Sequence, residues 1–375
     1  MVTGHEATLR GMDPITHAAS GALVARAIAP RDCTAPRFSL RERTWIGGLA
    51  AVFPDLDAVI EVFTDSLTYL NLHRGETHSL VMLPVWAVLL GWLVARLWPG
   101  ERDGRDGALI VALAIGIHIL GDFITNFGTQ LFAPFSRETL AFATTFIIDP
   151  WVTGILLIGL LLCWRRGGRF WAGAALLATG AFIAMQATLK LHAADHARAE
   201  AEARGLHGAQ VHAMPQPLNP FHWRLFIEDH DAHLSAHLGF FSPVREVDED
   251  AGLLRRHWHA FRPPDALEWR RYERFGDTME RGFASLAWAQ PEFSTYRRFA
   301  KLPYLREVTE RADSQCAVFA DLRFRVEAVP PPFQFAVCRN EVGEWHVEDV
   351  ELWEELEAEA REALELDDGN DGDGG

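Results

Sequence analysis

The chain has 375 residues, 49% of them hydrophobic, and a formal net charge of −16. Such an excess of carboxylates excludes the Lys/Arg surface that neutralises phosphates, so no nucleic-acid partner is expected. The four cysteines, Cys33, Cys163, Cys316 and Cys338, have neither zinc-ribbon nor CxxC spacing.

A mean hydropathy near zero blends two unlike parts. Residues up to about 190 are rich in Leu, Ala, Ile, Phe and Trp, and the remainder is charged, His-rich and acidic. The first residues, through Arg10, are too polar for a secretory signal peptide, so insertion would rely on internal apolar segments. In chain order, segment 15–29 is short and holds Arg26, and could span or merely embed. Segment 44–63 is interrupted by Pro54, Asp55, Asp57 and Glu61. Segment 79–95 carries no charge, and 108–127 is apolar except for His118 and Asp122. Segment 147–164 carries only Asp149, and 170–189 carries no charge. A span takes roughly 20 apolar residues. Four long segments with almost no polar face disfavour the alternative, a large soluble helical core.

The polar part begins with residues 190–204, read as a continuation of the last span that stops at Gly205. His192 and His196 are one turn apart there and are read as a solvated face rather than a metal pair. Segment 221–241 alternates apolar and polar residues around EDHDA, the pattern of a β-hairpin with His230, His233 and His237 on its surface. Segment 264–290 reads as one or two helices; 315–325, 333–339 and 345–350 read as strands, with a turn at 330–332. Cys316 and Cys338 fall on adjacent strands and could form a disulfide. Two buried thiols are the favoured reading, because a turn at 330–332 does not set them opposite each other. Residues 351–366 read as an acidic helix, and the DDGNDGDGG end as disorder.

Basic loops set the orientation. Arg165, Arg166 and Arg169 join the last two segments, which puts that hairpin in the cytoplasm. Counting back brings Arg96, Arg102 and Arg105, and then Arg37, Arg41 and Arg43, to the same side. Residues after Leu189 then lie outside, in the periplasm of a Gram-negative cell. Asp55, Asp57, His73, His78, His118, Asp122 and Asp149 all fall in one outer layer. His17 joins them if the first segment spans. Ionisable groups inside spans are costly and mark function, pairing or ion pathways.

In GIHILGDFITN, His118 and Asp122 are one helical turn apart and can reach one ion. In AVFPDLDAV, Asp55 and Asp57 point to different sides of a helix; one is expected as a ligand, with Asp55 favoured. In NLHRGETHSL, a turn at Gly75 could direct His73 and His78 back to one centre, and Thr77 or Ser79 would cap the next helix. Imidazoles and carboxylates without thiolate suit zinc, manganese or iron, with zinc the default. An i,i+4 His/Asp pair taken alone is more often a hydrogen-bonded pair, and it is the three motifs on one membrane face that favour metal.

The ordered motifs MDPITHAASGAL, LAAVFPDLD, HRGETHSL, HILGDFITNFGTQLFAPFS and FIIDPW resemble the YdjM-type inner-membrane proteins. The resemblance covers roughly residues 12–165, with weaker echoes in NPFHWRLF, YRRFAKLPYL and ADLRF. It implies a metal-dependent hydrolase and, in one relative, regulation by LexA. That family is similar, more distantly, to the zinc-dependent phospholipase C and single-strand nuclease superfamily, an all-helical fold that binds a zinc cluster. The resemblance maps ligand positions to His17, Asp55, His73 or His78, His118 and Asp122. Asn126 and Asp149 stand where the superfamily has further ligands, so one or two ions are expected rather than three.

The expected fold is an α-helical polytopic membrane domain of five to six helices over 1–190. A connecting helix (191–205), a small α+β extramembrane domain (206–366) and a disordered acidic tail (367–375) follow. The expected function is hydrolysis of a phosphoester or lipid-linked substrate at the outer leaflet. The metal would activate water, and Asp55 or Asp57, whichever is not a ligand, would orient or deprotonate it. Arg74 would pair with a substrate phosphate, with a snorkelling interfacial arginine as an equal alternative. Membrane lipid is the expected partner. Two other classes stay open: a non-enzymatic regulator or assembly factor with a structural metal, and a transporter relaying ions through His118, Asp122 and Asp149.

Overall fold

A computed structural model describes residues 13–31, 36–245, 252–311, 313–326 and 331–350. The expected polar N-terminus, Cys33, Pro330, the acidic helix at 351–366 and the tail lie outside these residues. The chain divides into two compact units. The first comprises Met1–Ile227, Ala236–Arg245 and Phe261–Glu268; the second comprises Glu228–Ser235, Glu246–Ala260 and Trp269–Gly375.

The first unit opens with α1 (Pro14–Ala27), capped by the Asp13 carboxylate, which accepts from the Thr16 backbone N–H at 3.0 Å. Its 14 residues extend about 21 Å, short of the roughly 30 Å hydrocarbon core. α2 (Leu40–Val52) starts with a capping box between Ser39 and Glu42. It gives way to a 3-10 helix, Phe53–Phe63. The segment expected at 44–63 is therefore two pieces, because Pro54 has no N–H to continue the α-helical ladder and its ring opposes the preceding turn. α3 (Ser66–Leu72), a 3-10 turn (Glu76–His78) and α4 (Leu83–Leu97) follow. Then come α5 (Gly104–Phe123), α6 (Pro150–Arg166) and α7 (Phe170–Ala203). α7 runs through the junction at 190 and ends before Gly205, whose φ of +72° is the left-handed stop that favours glycine.

Among the described residues two helices, α5 and α7, are long and apolar enough to cross a membrane. A third candidate is the pair Ser66–His78 and Leu83–Leu97, bent by 70°. α1 crosses α2 through glycines: a Cβ on Gly47 would lie 2.4 Å from the Gly21 carbonyl oxygen and 2.5 Å from the Ala25 Cβ. Small residues let the two backbones approach this closely. On α5, Ile110, Ala114, His118 and Asp122 recur every four residues on one buried face. The apolar residues of that helix pack on Ile46, Ala50 and Ala51 of α2. The other side of α1 packs Ala19 and Leu23 on Val152 and Leu156 of α6 and on Ala172 and Ala175 of α7. α1 is thus wedged between two helix pairs.

Charges at one end of these helices are paired. Arg43 meets Asp106, and Arg102 meets Glu42 at 2.6 Å. Arg26 donates to the Gly168 carbonyl at 2.8 Å and to Thr44 Oγ1 at 3.2 Å. The charge inside the first apolar segment is therefore satisfied at the α6–α7 turn.

The polar part contains two four-stranded sheets. β1 (Gln210–Pro215), β2 (His222–Glu228), β3 (Ala232–Gly239) and β4 (Arg270–Glu273) form the first, in that order. β4 replaces part of the helix expected at 264–290; α8 (Leu253–His259) precedes it and α9 (Arg281–Trp288) follows. α10 (Ser294–Phe299) leads into the second sheet. That sheet orders β5 (Pro303–Arg311), β6 (Ser314–Asp321), β7 (Phe335–Asn340) and β8 (Trp345–Asp349), with every neighbouring pair antiparallel. Cys316 is directly opposite Cys338 across β6 and β7, and the two are disulfide-bonded. The expectation of two thiols is corrected accordingly. His233, expected on the surface, is 1% exposed, and its Nε2 lies 2.9 Å from the Pro303 carbonyl oxygen.

Candidate metal centre

Four pieces of the first unit deliver the polar cluster. α1 brings His17, the 3-10 helix brings Asp55 and Asp57, the turn before α4 brings His78, and α5 brings His118 and Asp122. His17, Asp55, His118 and Asp122 each offer one donor atom, and these atoms all lie within 4.8 Å of one another. His78 completes the group. Its Nε2 is 3.1 Å from Asp122 Oδ2 and 3.5 Å from Asp55 Oδ1. His118 Nε2 is 3.3 Å from Asp122 Oδ2 and 3.2 Å from Asp55 Oδ1, and His17 Nε2 is 3.4 Å from Asp122 Oδ1.

These spacings can be tested against two kinds of contact. Ordinary hydrogen bonds are common at such distances. Yet Asp55 Oδ1 and Oδ2, His78 Nε2, His118 Nε2 and Asp122 Oδ2 are all buried without a hydrogen-bond partner. Leaving five such atoms unsatisfied would cost about 1–3 kcal/mol each. Ligands at 2.0–2.1 Å from a tetrahedral zinc lie about 3.3–3.4 Å apart. The observed separations of 3.1–3.5 Å bracket that edge. Donors so spaced fit a shared central ligand, and the group could hold a metal ion.

Around it, Asp57 acts as a hub. Its Oδ1 lies 3.0 Å from His73 Nδ1, and its Oδ2 accepts from the Arg74 backbone N–H at 3.0 Å and from Thr77 Oγ1 at 2.9 Å. His78 Nδ1 lies 2.9 Å from Thr77 Oγ1 and 3.3 Å from the same Oδ2. A carboxylate on Nδ1 orients an imidazole and leaves Nε2 for a metal. Asp57, expected to orient or deprotonate water, has both oxygens engaged in these contacts. His73 stands one layer outside the donor group, stacked on Tyr69 with ring centroids 4.7 Å apart. Of the two loop histidines, the structure brings His78 to the donors and His73 to Asp57.

Arg74 is 2% exposed. Its Nη2 is 3.0 Å from Asp122 Oδ1, its Nη1 donates to Thr125 Oγ1 at 3.4 Å, and its Nε is buried without a partner. Its φ of 55° is strained for a residue with a Cβ. The backbone is pinned on both sides, by Asp57 at the N–H and by the Gln130 N–H at the carbonyl. Burial rules out the snorkelling arrangement. The turn itself needs Gly75, because a Cβ there would lie 2.7 Å from the Leu72 carbonyl oxygen. Ser79 organises entry into α4, accepting from the Val81 N–H at 3.0 Å, while Thr77 serves Asp57.

Asp149 lies outside the donor group. Its carboxylate caps α6, accepting from the Trp151 and Val152 N–H groups. A second grouping, Cys338, His346 and Glu348, has no thiolate to offer, because Cys338 is in the disulfide. Sequence reasoning missed the part played by Thr77 and Thr125. Thr77 falls inside a quoted motif, but nothing in its pattern distinguishes a hydroxyl serving a carboxylate from a helix cap.

Residues 12–193 match the model of the YdjM inner membrane protein family. It is also similar to a protein of Bacillus subtilis (strain 168) described as uncharacterized protein YfhP. The two are 29% identical over 115 residues, 31% of this chain and 34% of that protein. The chain therefore spans about a third of the length of this curated relative. No solved structure matches.

Proposed function

We propose that this YdjM-type protein is a multi-pass membrane hydrolase with a divalent metal centre that acts on a phosphoester or lipid-linked substrate at the outer leaflet. The observation that carries the reading is the convergence of His17, Asp55, His78, His118 and Asp122, with neighbouring His–Asp spacings of 3.1–3.5 Å and five buried atoms of Asp55, His78, His118 and Asp122 without a hydrogen-bond partner. Histidine and carboxylate donors without thiolate suit zinc, manganese or iron, and near-tetrahedral spacing favours one zinc ion.

A bound zinc ion would lower the pKa of a coordinated water towards neutrality and polarise a phosphoryl or acyl oxygen. The chain's own residues do the rest. Asp57, buttressed by His73 and Thr77, holds the His78 ring in register. Arg74 sets a buried guanidinium beside Asp122, where it can pair with an anionic substrate group and with charge that develops on it.

The membrane domain is proposed to have five to six membrane-embedded helices, with the basic loops inside and the polar domains over 206–366 in the periplasm. The clustering of Arg37, Arg41 and Arg43 with Arg96, Arg102 and Arg105 supports this orientation. So does the Cys316–Cys338 disulfide, since such bonds persist in oxidising compartments.

The test is zinc-loaded protein assayed against a panel of phosphoesters and lipids, beside Arg74→Ala. Arg74→Ala is expected to keep its metal and to lose about a hundredfold in turnover, the usual scale for one charge-stabilising donor. Normal turnover of an identified phosphoester by that variant removes Arg74 from the mechanism. A second reading, a structural metal in a regulator, is favoured by the donor count, since five donors can close a shell and leave no open position. Zinc-loaded wild type that hydrolyses nothing on the panel would decide for that reading.

A further inference from the structure

A cleft of about 80 Å³ lies among α1, α5, α6 and α7. Its walls include Ile117 and Leu120 of α5, Leu156 of α6 and Ile183 of α7. Two other lining residues, His17 and Thr125, belong to the metal centre as well. The His17 ring lies 3.9 Å, centroid to centroid, from that of His118. Thr125 Oγ1 accepts from Arg74 Nη1 and donates to the Asp122 carbonyl at 2.8 Å. The apolar walls and the ion-binding group therefore share two side chains, His17 and Thr125.

Leu120 is 51% exposed although it sits on a helix apolar enough to cross a membrane, so this wall is open to the side. At membrane depth such an opening meets hydrocarbon, not water. The polar residues near it are already committed: Asp13 accepts from the Thr16 N–H and from Thr153 Oγ1. Beyond the shared side chains, Arg74 Nε is buried and unpartnered. An occupant must then be apolar over its length and anionic at the end that reaches His17.

We infer that the cleft seats a hydrocarbon chain of a membrane phosphoester, entering sideways from the bilayer, with its phosphate at the metal centre beside Arg74. This rests on the hydrolase reading and adds the substrate's tail to it. A phosphate arriving from water would need the centre alone and would be indifferent to the cleft walls.

The experiment uses detergent-purified, zinc-loaded full chain, with inorganic phosphate and butyl, hexyl and octyl phosphate as probes. Affinity is expected to rise by up to about fourfold per added methylene, the worth of one buried CH₂. Leu156→Trp and Ile183→Trp should flatten that dependence while leaving inorganic phosphate binding and zinc content unchanged. Equal chain-length dependence in wild type and in both variants overturns the inference. Should the variants lose zinc, wild type labelled with dodecyl phosphate carrying a terminal diazirine decides. Label on the peptides holding Ile117, Leu156 or Ile183, competed by octyl phosphate, supports the cleft; label elsewhere overturns it. Label in the cleft without any binding of inorganic phosphate keeps the chain site and sinks the phosphoester head instead, so the two readings fail separately.

Discussion

Asp57→Asn isolates the hub from the donors. The carboxylate takes contacts from His73 Nδ1, the Arg74 N–H, Thr77 Oγ1 and His78 Nδ1. An amide offers one acceptor oxygen where the carboxylate offered two, so either the His73 contact at Oδ1 or the three contacts at Oδ2 are lost. Buried donors left unsatisfied cost about 1–3 kcal/mol each, so folding stability should drop by at least about 1–3 kcal/mol. Metal affinity should fall about 10–100-fold, because a partner on the second ring nitrogen orients a ligating histidine. That range is about 1.4–2.7 kcal/mol. Zinc affinity is read by competition with a chromophoric chelator, and stability by thermal unfolding of the apo protein, so the two effects separate. Unchanged zinc affinity in a folded Asp57→Asn protein would refute the orienting role and return Asp57 to the candidates for handling water.

The other expectations concern the second unit. Replacing Cys316 and Cys338 together with alanine opens a bridge spanning 22 residues and should cost about 3 kcal/mol in thermal or denaturant unfolding. Thiol trapping in intact cells should find both cysteines oxidised, and free thiols at both positions would contradict the outer location of this domain. Burial holds the His233 imidazole below its ordinary value of 6.5. Below pH 6.5 the unfolded chain therefore takes up a proton that the folded chain does not. Stability should be flat above that pH and fall as the pH drops from 6.5 towards the lowered folded value. Unfolding midpoints at pH 7.5 and 5.5 should differ less in His233→Gln than in wild type, and an equal difference would exclude His233 as a source.

Much of the centre can be read from sequence because its residues violate their surroundings. His118 and Asp122 stand in an otherwise apolar segment at helical spacing, and they extend the same face that Ile110 and Ala114 bury. Asp55 after Pro54 breaks an apolar run in the same way. Spacing does not reveal which of two nearby groups does which task. His73 and His78 are separated by a turn whose direction depends on the backbone of Arg74 and Gly75, and the 3-10 geometry after Pro54 sets where Asp57 points. The polar half was harder. β3 is buried along nearly its whole length, so alternation could not tell that His233 lies under the Pro303 segment. The disulfide was hidden by register. A turn centred on Pro331 would put residue 346 opposite Cys316. Instead the chain leaves β6 at Asp321, takes a 3-10 turn at Leu322–Phe324 and re-enters the sheet at Phe335, which moves the pairing by eight residues to Cys338.

Metal analysis of detergent-purified wild type and Asp122→Asn protein tests the central claim most directly. Asp122 sets one oxygen towards His78 and His118 and the other towards His17 and Arg74, so its replacement by a neutral amide removes the carboxylate that the three histidines share. The account predicts about one divalent ion per wild-type chain, by elemental mass spectrometry or zinc titration of apo protein, and little or none in the variant. Folded wild type that neither carries nor takes up a divalent ion, or Asp122→Asn protein that holds as much as wild type, would contradict it.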